Sequence, residues 1–218
     1  MNRISSVSAS LLLAVLMIPV TLAFGEELKS IQLPKPQLDI GRPLMQVLKD
    51  RSSSRSFSTE KLPVQVLSNL LWAAFGINRP DTGHRTAPSA RNWQEIDIYV
   101  AMADGLYLYD AKNHMLQPVI LGDIRAMAGT QDFVKDAPVN LIYVADFSKT
   151  GNATKDDKVM YSAADTGFIS QNVYLLCSSE GLATVVRGSI NREALAKAMK
   201  LRPDQKIILA QTIGYTKK

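Results

Sequence analysis

The sequence is poor in cysteine and histidine, which excludes several kinds of site. Cys177 is the single cysteine, so no disulfide can form within the chain. With His84 and His114 as the two histidines, the usual zinc ligand sets are missing. Neither a Ser-His-Asp arrangement nor a pair of acid–base carboxylates can be recognised. The net charge of +5 is not gathered into the basic stripe typical of nucleic-acid-binding proteins.

The first residues read as an export signal rather than as part of the fold. Arg3 precedes an apolar run over 11–20, and small residues at Ala23 and Gly25 offer cleavage sites. The run is short for a membrane span, and no cysteine follows it for lipid attachment. We therefore expect residues 1–25 to be a signal peptide of an exported, periplasmic protein with no stable membrane span after its removal. The alternatives are an uncleaved anchor, or a cytoplasmic protein if the signal interpretation is wrong.

The composition of the whole sequence is that of a globular domain. Of the 218 residues, 46% are hydrophobic and 21% charged, which is too apolar for a disordered chain. Residues 26–42 include Pro34 and Pro36, with Lys35 between them, and are expected to form an extended leader on the surface. No repeat or change of composition divides the rest, so residues 43–218 are predicted to be a single domain.

Hydrophobic spacing and capping residues predict an α+β fold. Helices are expected over 43–50, 63–75, 122–129, 158–180 and 192–200, and strands over 96–100, 105–110, 137–145, 182–186 and 207–213. A polar stretch over 78–92 has no periodicity and is expected to be a long loop, either functional or mobile. In the longest helix, Ala163, Ala164, Gly167 and Ser170 would let another backbone approach closely. That helix is therefore either the centre of the core or part of a subunit interface.

The first group of residues with binding chemistry follows the first helix. Arg51 and Arg55 bracket Ser52, Ser53 and Ser54, which gives two guanidinium groups and three hydroxyls within one turn. Guanidinium groups form bidentate, charge-assisted bonds with phosphate, and serine hydroxyls add short neutral ones. This cluster predicts a phosphate site, with a solvated turn as the alternative.

Two further groups lie beside predicted strands. The segment over 88–95 offers Ser89, Asn92 and backbone groups, with Trp93 to exclude solvent. The strand over 182–186 leads to Arg187 and Gly188, where a glycine would let a ligand lie against the backbone. A plain loop and a plain turn are the respective alternatives. Cys177 lies in an apolar run, which favours buried packing over a reactive thiol.

Taken in order, these motifs resemble the nitroreductase family of flavoproteins. The resemblance covers nearly all of residues 43–216, with Arg-x-Ser-x-Arg at 51–55 and Pro-Ser-x-x-Asn at 88–92. It is closest to the branch of SagB-type azoline dehydrogenases. That likeness is carried by the segments 71–77, 88–95, 105–109 and 171–175.

The resemblance implies a nitroreductase-like sandwich, a central, mostly antiparallel sheet flanked by helices, in an intertwined homodimer with FMN at the interface. Arg51 and Ser53 would then hold the FMN phosphate, Ser52 and Ser54 would line the same run, and Arg55 would face the pyrimidine edge of the flavin. Pro88, Ser89, Ala90 and Asn92 would reach FMN from the partner subunit, and the backbone of Arg187 and Gly188 would meet it near N5 and O4. Lys217 or Lys218 would complete the phosphate site.

The implied activity is FMN-dependent oxidoreduction, in which the flavin performs the chemistry and no side chain is catalytic. A small-molecule donor, such as NAD(P)H, would reduce the flavin, and a small organic acceptor such as a nitroaromatic or a quinone would reoxidise it. His84 and Arg85 could meet that substrate, with a solvated loop as the alternative. Competing functions are a SagB-type azoline or peptide dehydrogenase and a flavin-binding protein without turnover.

Overall fold

The computed structural model describes residues 27–217 and is built on a seven-stranded sheet. The predicted signal peptide, residues 1–25, lies outside the described residues, as does Lys218. The strands of the sheet are β1 (Ile31–Gln32), β4 (Ile96–Ala101), β5 (Gly105–Asp110), β6 (Met115–Leu121), β7 (Val139–Asp146), β8 (Ala183–Arg187) and β9 (Gln205–Gly214). Their order is β1-β6-β5-β4-β7-β9-β8, and every pairing is antiparallel.

In the described part of the chain four α-helices flank this sheet, so the predicted α+β class and mostly antiparallel sheet are confirmed. They are α1 (Leu44–Asp50), α2 (Val64–Phe75), α3 (Lys155–Glu180) and α4 (Arg192–Ala198). Their ends follow the sequence signals. Gly181 adopts the left-handed conformation that ends α3, and the Asn191 side chain accepts a hydrogen bond from the Ala194 N–H at the start of α4. No helix within residues 27–217 is long and apolar enough to cross a membrane.

The sheet is the middle layer, and alternate residues of its strands face opposite sides. In β7, Leu141 and Tyr143 pack against the core formed with α2 and α3. Ile142 and Val144 lie in a second core formed with α4. All eight residues of β7 are buried, as expected for a continuous apolar strand covered on both faces.

Three sequence predictions about the connections were wrong. The leader is not confined to the surface, because β1 pairs with β6 at the sheet edge and Leu33 is buried. The stretch over 78–92 is not an open loop: it contains a hairpin of β2 (Ile77–Arg79) and β3 (His84–Arg85) and a short 3-10 helix, Ala90–Asn92. The helix predicted over 122–129 shrinks to a 3-10 turn, Arg125–Ala128.

Candidate functional site

The segment after α1 is held beside the edge strand β8. The Arg51 N–H ends α1 by donating to Val47 O at 2.8 Å. The chain then passes alongside β8, with the Ser54 N–H donating to Thr184 O at 2.9 Å. This path brings Arg51 and the serines next to the carboxyl end of β8, where the predicted Arg187–Gly188 turn begins.

Tyr174 of α3 joins the two segments. Its hydroxyl accepts a hydrogen bond from the Val186 N–H at 2.9 Å and lies 2.8 Å from Ser53 Oγ. The Arg51 guanidinium lies over its ring, 5.3 Å from the centroid. Because the hydroxyl accepts from Val186, its single proton is available for Ser53 Oγ. When Tyr174 donates in this contact, the Ser53 proton is free to donate to a ligand.

Sequence reasoning gave Tyr174 no function. A signal was present, since a tyrosine in an apolar helical run must find a partner for its hydroxyl when buried. That signal does not identify the partner, because Ser53 and Val186 are distant in the sequence and meet Tyr174 through the fold.

Arg187 turns its side chain away from the turn and into the protein. It is 5% exposed, and its guanidinium donates to Thr212 Oγ1, Ala128 O and Asn140 Oδ1 at 2.9–3.0 Å. Burial lowers the pKa of this guanidinium to about 10. The side chain is therefore occupied in the core, and only the backbone of the turn is available to a ligand. Gly188 itself is exposed.

The segment over 88–92 lies elsewhere within one chain. The Ala90 N–H donates to Asp165 Oδ2 at 2.8 Å, and Ser89 Oγ accepts from the Gln94 N–H. Asp165 precedes Tyr174 by nine residues of α3, which is about 13 Å along the helix axis. One chain therefore does not bring Pro88, Ser89, Ala90 and Asn92 together with the Arg51 cluster.

This segment has an unusual backbone. Arg91, Asn92 and Gln94 all have φ near +50°, the left-handed region that non-glycine residues seldom adopt. Such residues cost about 1–3 kcal/mol each and persist only where surrounding contacts impose them. Strain concentrated in so short a stretch marks the segment as a candidate functional element.

In the hairpin β2–β3, the half-buried side chains of His84 and Arg85, expected to meet a substrate, are hydrogen-bonded within the chain. The Arg85 guanidinium lies 4.5 Å from the centre of the Phe75 ring and donates to Phe75 O and Gln94 Oε1. Burial lowers the pKa of Arg85, and its groups serve the fold. His84 Nδ1 is hydrogen-bonded to Thr82 Oγ1 at 2.6 Å.

Lys217 is not brought to the Arg51 cluster. It lines a surface cavity with Ser58, Glu60 and Gly181, and Gly181 precedes β8. The Tyr174–Val186 contact lies at the other end of β8. A single chain therefore does not bring Lys217 to the end of β8 where Arg51 lies, and a part for Lys217 in a phosphate site stays a prediction.

Two further expectations concern Cys177 and metals. Cys177 is fully buried, and burial raises the pKa of its thiol to about 12, in agreement with packing rather than reactivity. Among residues 27–217, no group of three or more His, Cys, Asp or Glu side chains is placed to hold a metal ion.

Comparison with known proteins agrees with this architecture. The profile of the nitroreductase family matches residues 48–215. Three relatives, each named a "putative nitroreductase", illustrate the range of similarity. A Methanocaldococcus jannaschii protein is 31% identical over 169 residues, covering 73% of this chain and 85% of its own. A crystal structure from Ralstonia eutropha JMP134 is 44% identical with a TM-score of 0.83, covering 87% of this chain and 90% of that one.

The third relative, from Desulfovibrio desulfuricans, was solved in complex with FMN. It is 22% identical, with a TM-score of 0.59 and coverage of 81% of this chain and 88% of its own, and so establishes a shared fold alone. The family profile spans strands β4 to β9, helices α2 and α3 and both segments of the candidate site. On this evidence the chain belongs to the nitroreductase family of oxidoreductases.

Proposed function

We propose that the chain binds FMN and catalyses two-step oxidoreduction with it. The observation that carries the proposal is the junction of Arg51, Ser53 and Tyr174 with the end of β8. No carboxylate lies within 4 Å of the Arg51 guanidinium among the residues described, and the Ser53 hydroxyl can donate to a ligand when Tyr174 donates to Ser53. A free guanidinium beside a donating hydroxyl is the chemistry that a phosphate group requires.

In this proposal each segment has one task. Arg51, Ser52 and Ser53 hold the phosphate, and Ser54 supports the run through its N–H bond to β8. Arg55 has an exposed side chain able to face the pyrimidine edge of the flavin. The bound flavin would supply hydride and electron transfer. The backbone of Arg187 and Gly188 would orient it, because the Arg187 side chain is engaged in the core.

We further propose that the functional unit is a homodimer formed through α3. The outward face of this helix carries Met160, Ala163, Ala164, Gly167 and Phe168, all exposed in the single chain. Phe168 is 50% exposed, and a Cβ on Gly167 would meet nothing within 4 Å. Exposed apolar and small residues at helical spacing are typical of a surface that another helix covers. The dimer would let the segment over 88–92 of one subunit reach the Arg51 cluster of the other.

The sharpest test compares two basic residues. The purified full-length chain should take up FMN, seen as flavin absorbance that remains after gel filtration. Arg51→Ala should weaken FMN binding by roughly 1.5–3 kcal/mol, the contribution of a charge-assisted hydrogen bond. Lys217→Ala is the matched control, because its side chain lies at the far end of β8 and should leave FMN affinity unchanged. Absence of FMN uptake by the wild-type chain would refute the proposal.

The dimer is tested separately by Phe168→Arg. A charge at this apolar position should convert the dimer to a monomer in analytical ultracentrifugation. Ser179→Arg is not a suitable control. Ser179 lies on the side of α3 that contacts the leader, and its Oγ accepts a hydrogen bond from the Arg42 N–H. Asp156→Arg in the exposed first turn of α3 is the better one. A wild-type chain that sediments as a monomer with FMN bound would overturn the dimer proposal.

Turnover distinguishes the competing functions. The favoured donor and acceptor are NAD(P)H and a nitroaromatic or quinone, assayed by bleaching and recovery of the flavin absorbance. Oxidation of an azoline-containing peptide in place of these acceptors would favour the SagB-type alternative. FMN that no donor can reduce enzymatically would favour a binding protein without turnover. Export to the periplasm, with removal of residues 1–25, is also proposed, and the N-terminal sequence of the protein isolated from cells tests it.

A further inference from the structure

Two side-chain amides of the strained segment, those of Asn92 and Gln94, contact each other. Gln94 Nε2 lies 3.0 Å from Asn92 Oδ1. Backbone bonds hold both residues, since the Asn92 N–H donates to Ser89 O at 3.0 Å and the Gln94 N–H donates to Ser89 Oγ at 2.9 Å. An amide side chain has one end that donates and one that accepts, so its partners decide which way it is turned. The neighbours of this pair therefore determine how each amide is oriented.

Two neighbours determine the orientation of Gln94. Arg85 Nε donates to Gln94 Oε1 at 2.7 Å, and a guanidinium has no atom that accepts a hydrogen bond. At the other end of the amide, Gln94 Nε2 donates to Gly83 O at 3.1 Å, and a backbone carbonyl only accepts. A reversed amide would place donor against donor at Arg85 and acceptor against acceptor at Gly83. The Gln94 oxygen therefore faces Arg85.

Arg85 gives this arrangement a fixed starting point. Its side chain is half-buried, and its Nη1 donates to Phe75 O at 2.9 Å. The guanidinium also lies 4.5 Å from the centre of the Phe75 ring. Both contacts tie Arg85 to the last residue of α2, so the guanidinium cannot turn to follow a reversed Gln94 amide.

The orientation of Gln94 sets that of Asn92. Because Gln94 Nε2 donates to it, Asn92 Oδ1 faces the protein, and the NH2 group at the other end of the Asn92 amide is turned away. This NH2 group donates to no atom within residues 27–217, and Asn92 is exposed in the single chain. The neighbouring Arg91 guanidinium, over the ring of Trp93, is also exposed and also only donates. The outer surface of the segment therefore offers hydrogen-bond donors.

We propose that Arg85 and Gln94 are positioning residues that turn the Asn92 amide so that its NH2 group donates to an acceptor atom of FMN. The inference rests on the proposed function, in which the segment over 88–92 reaches FMN in the partner subunit. The flavin ring carries carbonyl oxygens and unprotonated nitrogens that accept hydrogen bonds, and an amide oxygen in the same place would repel them. Neither Arg85 nor Gln94 needs to touch the flavin.

Nuclear magnetic resonance of the FMN-free, full-length chain tests the orientation directly. In the wild type, the NH2 protons of Gln94 should exchange with water about tenfold or more slowly than those of Asn92, because only the former are hydrogen-bonded. The Gln94→Glu and Asn92→Asp variants assign the two signals, since each removes one of them. A slowly exchanging Asn92 NH2 group beside a freely exchanging Gln94 NH2 group would overturn the proposal.

Gln94→Glu should reverse the Asn92 amide. The introduced carboxylate still accepts from Arg85 but cannot donate, so the Asn92 NH2 group should turn toward it and exchange about tenfold more slowly than in the wild type. Gln37→Glu is the matched control: Gln37 is exposed and its Oε1 accepts from Asn69 Nδ2, a contact that a carboxylate keeps. An unchanged Asn92 signal in Gln94→Glu would contradict the role assigned to Gln94.

Binding of FMN tests the consequence of the orientation. Gln94→Glu should bind FMN about tenfold more weakly than the wild type, because Asn92 then presents its oxygen, whereas Gln37→Glu should bind as the wild type does. Equal affinity of Gln94→Glu and the wild type would overturn the proposal.

Asn92→Asp keeps the inference falsifiable if Gln94→Glu does not fold. Aspartate keeps the oxygen that accepts from Gln94 and lacks the NH2 group, so Gln94 exchange should stay slow while FMN affinity falls about tenfold. Fast exchange of the Gln94 NH2 group in this variant would overturn the assigned orientation. Wild-type protein that binds no FMN would contradict the proposed function, whereas the reversed exchange pattern in a chain that binds FMN would contradict this inference alone.

Discussion

Replacing Gly129 by alanine should destabilise the fold by displacing the buried Arg187 guanidinium. Gly129 has an extended backbone, so alanine adds no conformational strain there. Its added Cβ would overlap Arg187 Nη1 and lie 3.0 Å from Arg187 Cζ and 3.1 Å from Val134 Cγ2. The guanidinium is planar and fixed by three hydrogen bonds, so it cannot yield by a small rotation.

The magnitude follows from the bonds that must break. Moving the guanidinium forfeits its bonds to Thr212, Ala128 and Asn140, each worth about 1.5–3 kcal/mol to a charged donor. Part of this loss is recovered because the displaced charge regains water. We therefore expect Gly129→Ala to lower the free energy of unfolding by about 2–4 kcal/mol, measured by urea denaturation.

A double-mutant cycle isolates the cause. Arg187→Met alone should also destabilise, but Gly129→Ala should add less than about 1 kcal/mol in that background, because the overlapping atoms are gone. Gly188→Ala is the matched control: its Cβ would come no closer than 3.9 Å to Leu209 Cδ2, so stability should be unchanged. Equal effects of Gly129→Ala with and without Arg187 would refute the reasoning.

Three further predictions concern other parts of the fold. Tyr174→Phe removes the hydroxyl that contacts both Ser53 and Val186. It should lower stability by about 1–2 kcal/mol in a melting experiment and weaken FMN binding in a fluorescence titration. Unchanged FMN affinity would show that Tyr174 is not part of the site. Asn191→Ala should cost about 1 kcal/mol in a urea melt and Asn191→Asp much less, since aspartate keeps the capping oxygen. Burial lowers the pKa of His114, so the neutral imidazole stabilises the fold. This stabilisation should fade as the pH drops below the ordinary pKa of histidine. The urea midpoint of His114→Gln should therefore fall less between neutral and acidic pH than the midpoint of the wild type.

The helices and the central strands could be predicted because their signals are local. Pro43 and Pro63 directly precede α1 and α2, and Gly181 ends α3. Each of these residues acts through its own backbone conformation, which the sequence reveals without tertiary information. The apolar run of β7 likewise marks a strand buried on both faces.

Strands β1 and β6, at one end of the sheet, could not be predicted because their pairing is non-local. β6 contains Pro118, which normally argues against a strand, yet it pairs with Tyr107 beside an irregularity in the β5–β6 register. β1 has two residues and becomes a strand only because β6 offers a free edge. The β2–β3 hairpin is similarly short and depends on Arg85, which reaches back to Phe75 O.

The candidate site shows the same division between local and non-local information. The chemistry of Arg51 and Ser53 is visible in the sequence, whereas the tyrosine that orients Ser53 is not. The backbone of Arg187 is expected near a ligand from the sequence, whereas the core network that its side chain forms with residues far away in the sequence could not be predicted. Ala90 and Asp165 are separated in the sequence by four strands, β4 to β7, so no spacing rule predicts their hydrogen bond.

Helix α3 separates the two segments of the candidate site within one chain, because Tyr174 contacts the Arg51 segment and Asp165 contacts the segment over 88–92. Asp165 and Tyr174 both face inward on a rigid helix, so the distance between the segments that they hold is fixed at about 13 Å. Consider a two-fold dimer in which the two α3 helices cross antiparallel. A residue that precedes the crossing point in one helix then lies at the same height along the axis as the residue that follows it by the same distance in the other helix. A crossing between Phe168 and Gln171, on the exposed face, would place Asp165 of one subunit level with Tyr174 of the other. In the proposed dimer, the small and apolar residues near that point would let the two α3 helices approach closely, whereas within one chain the helix keeps the two segments apart.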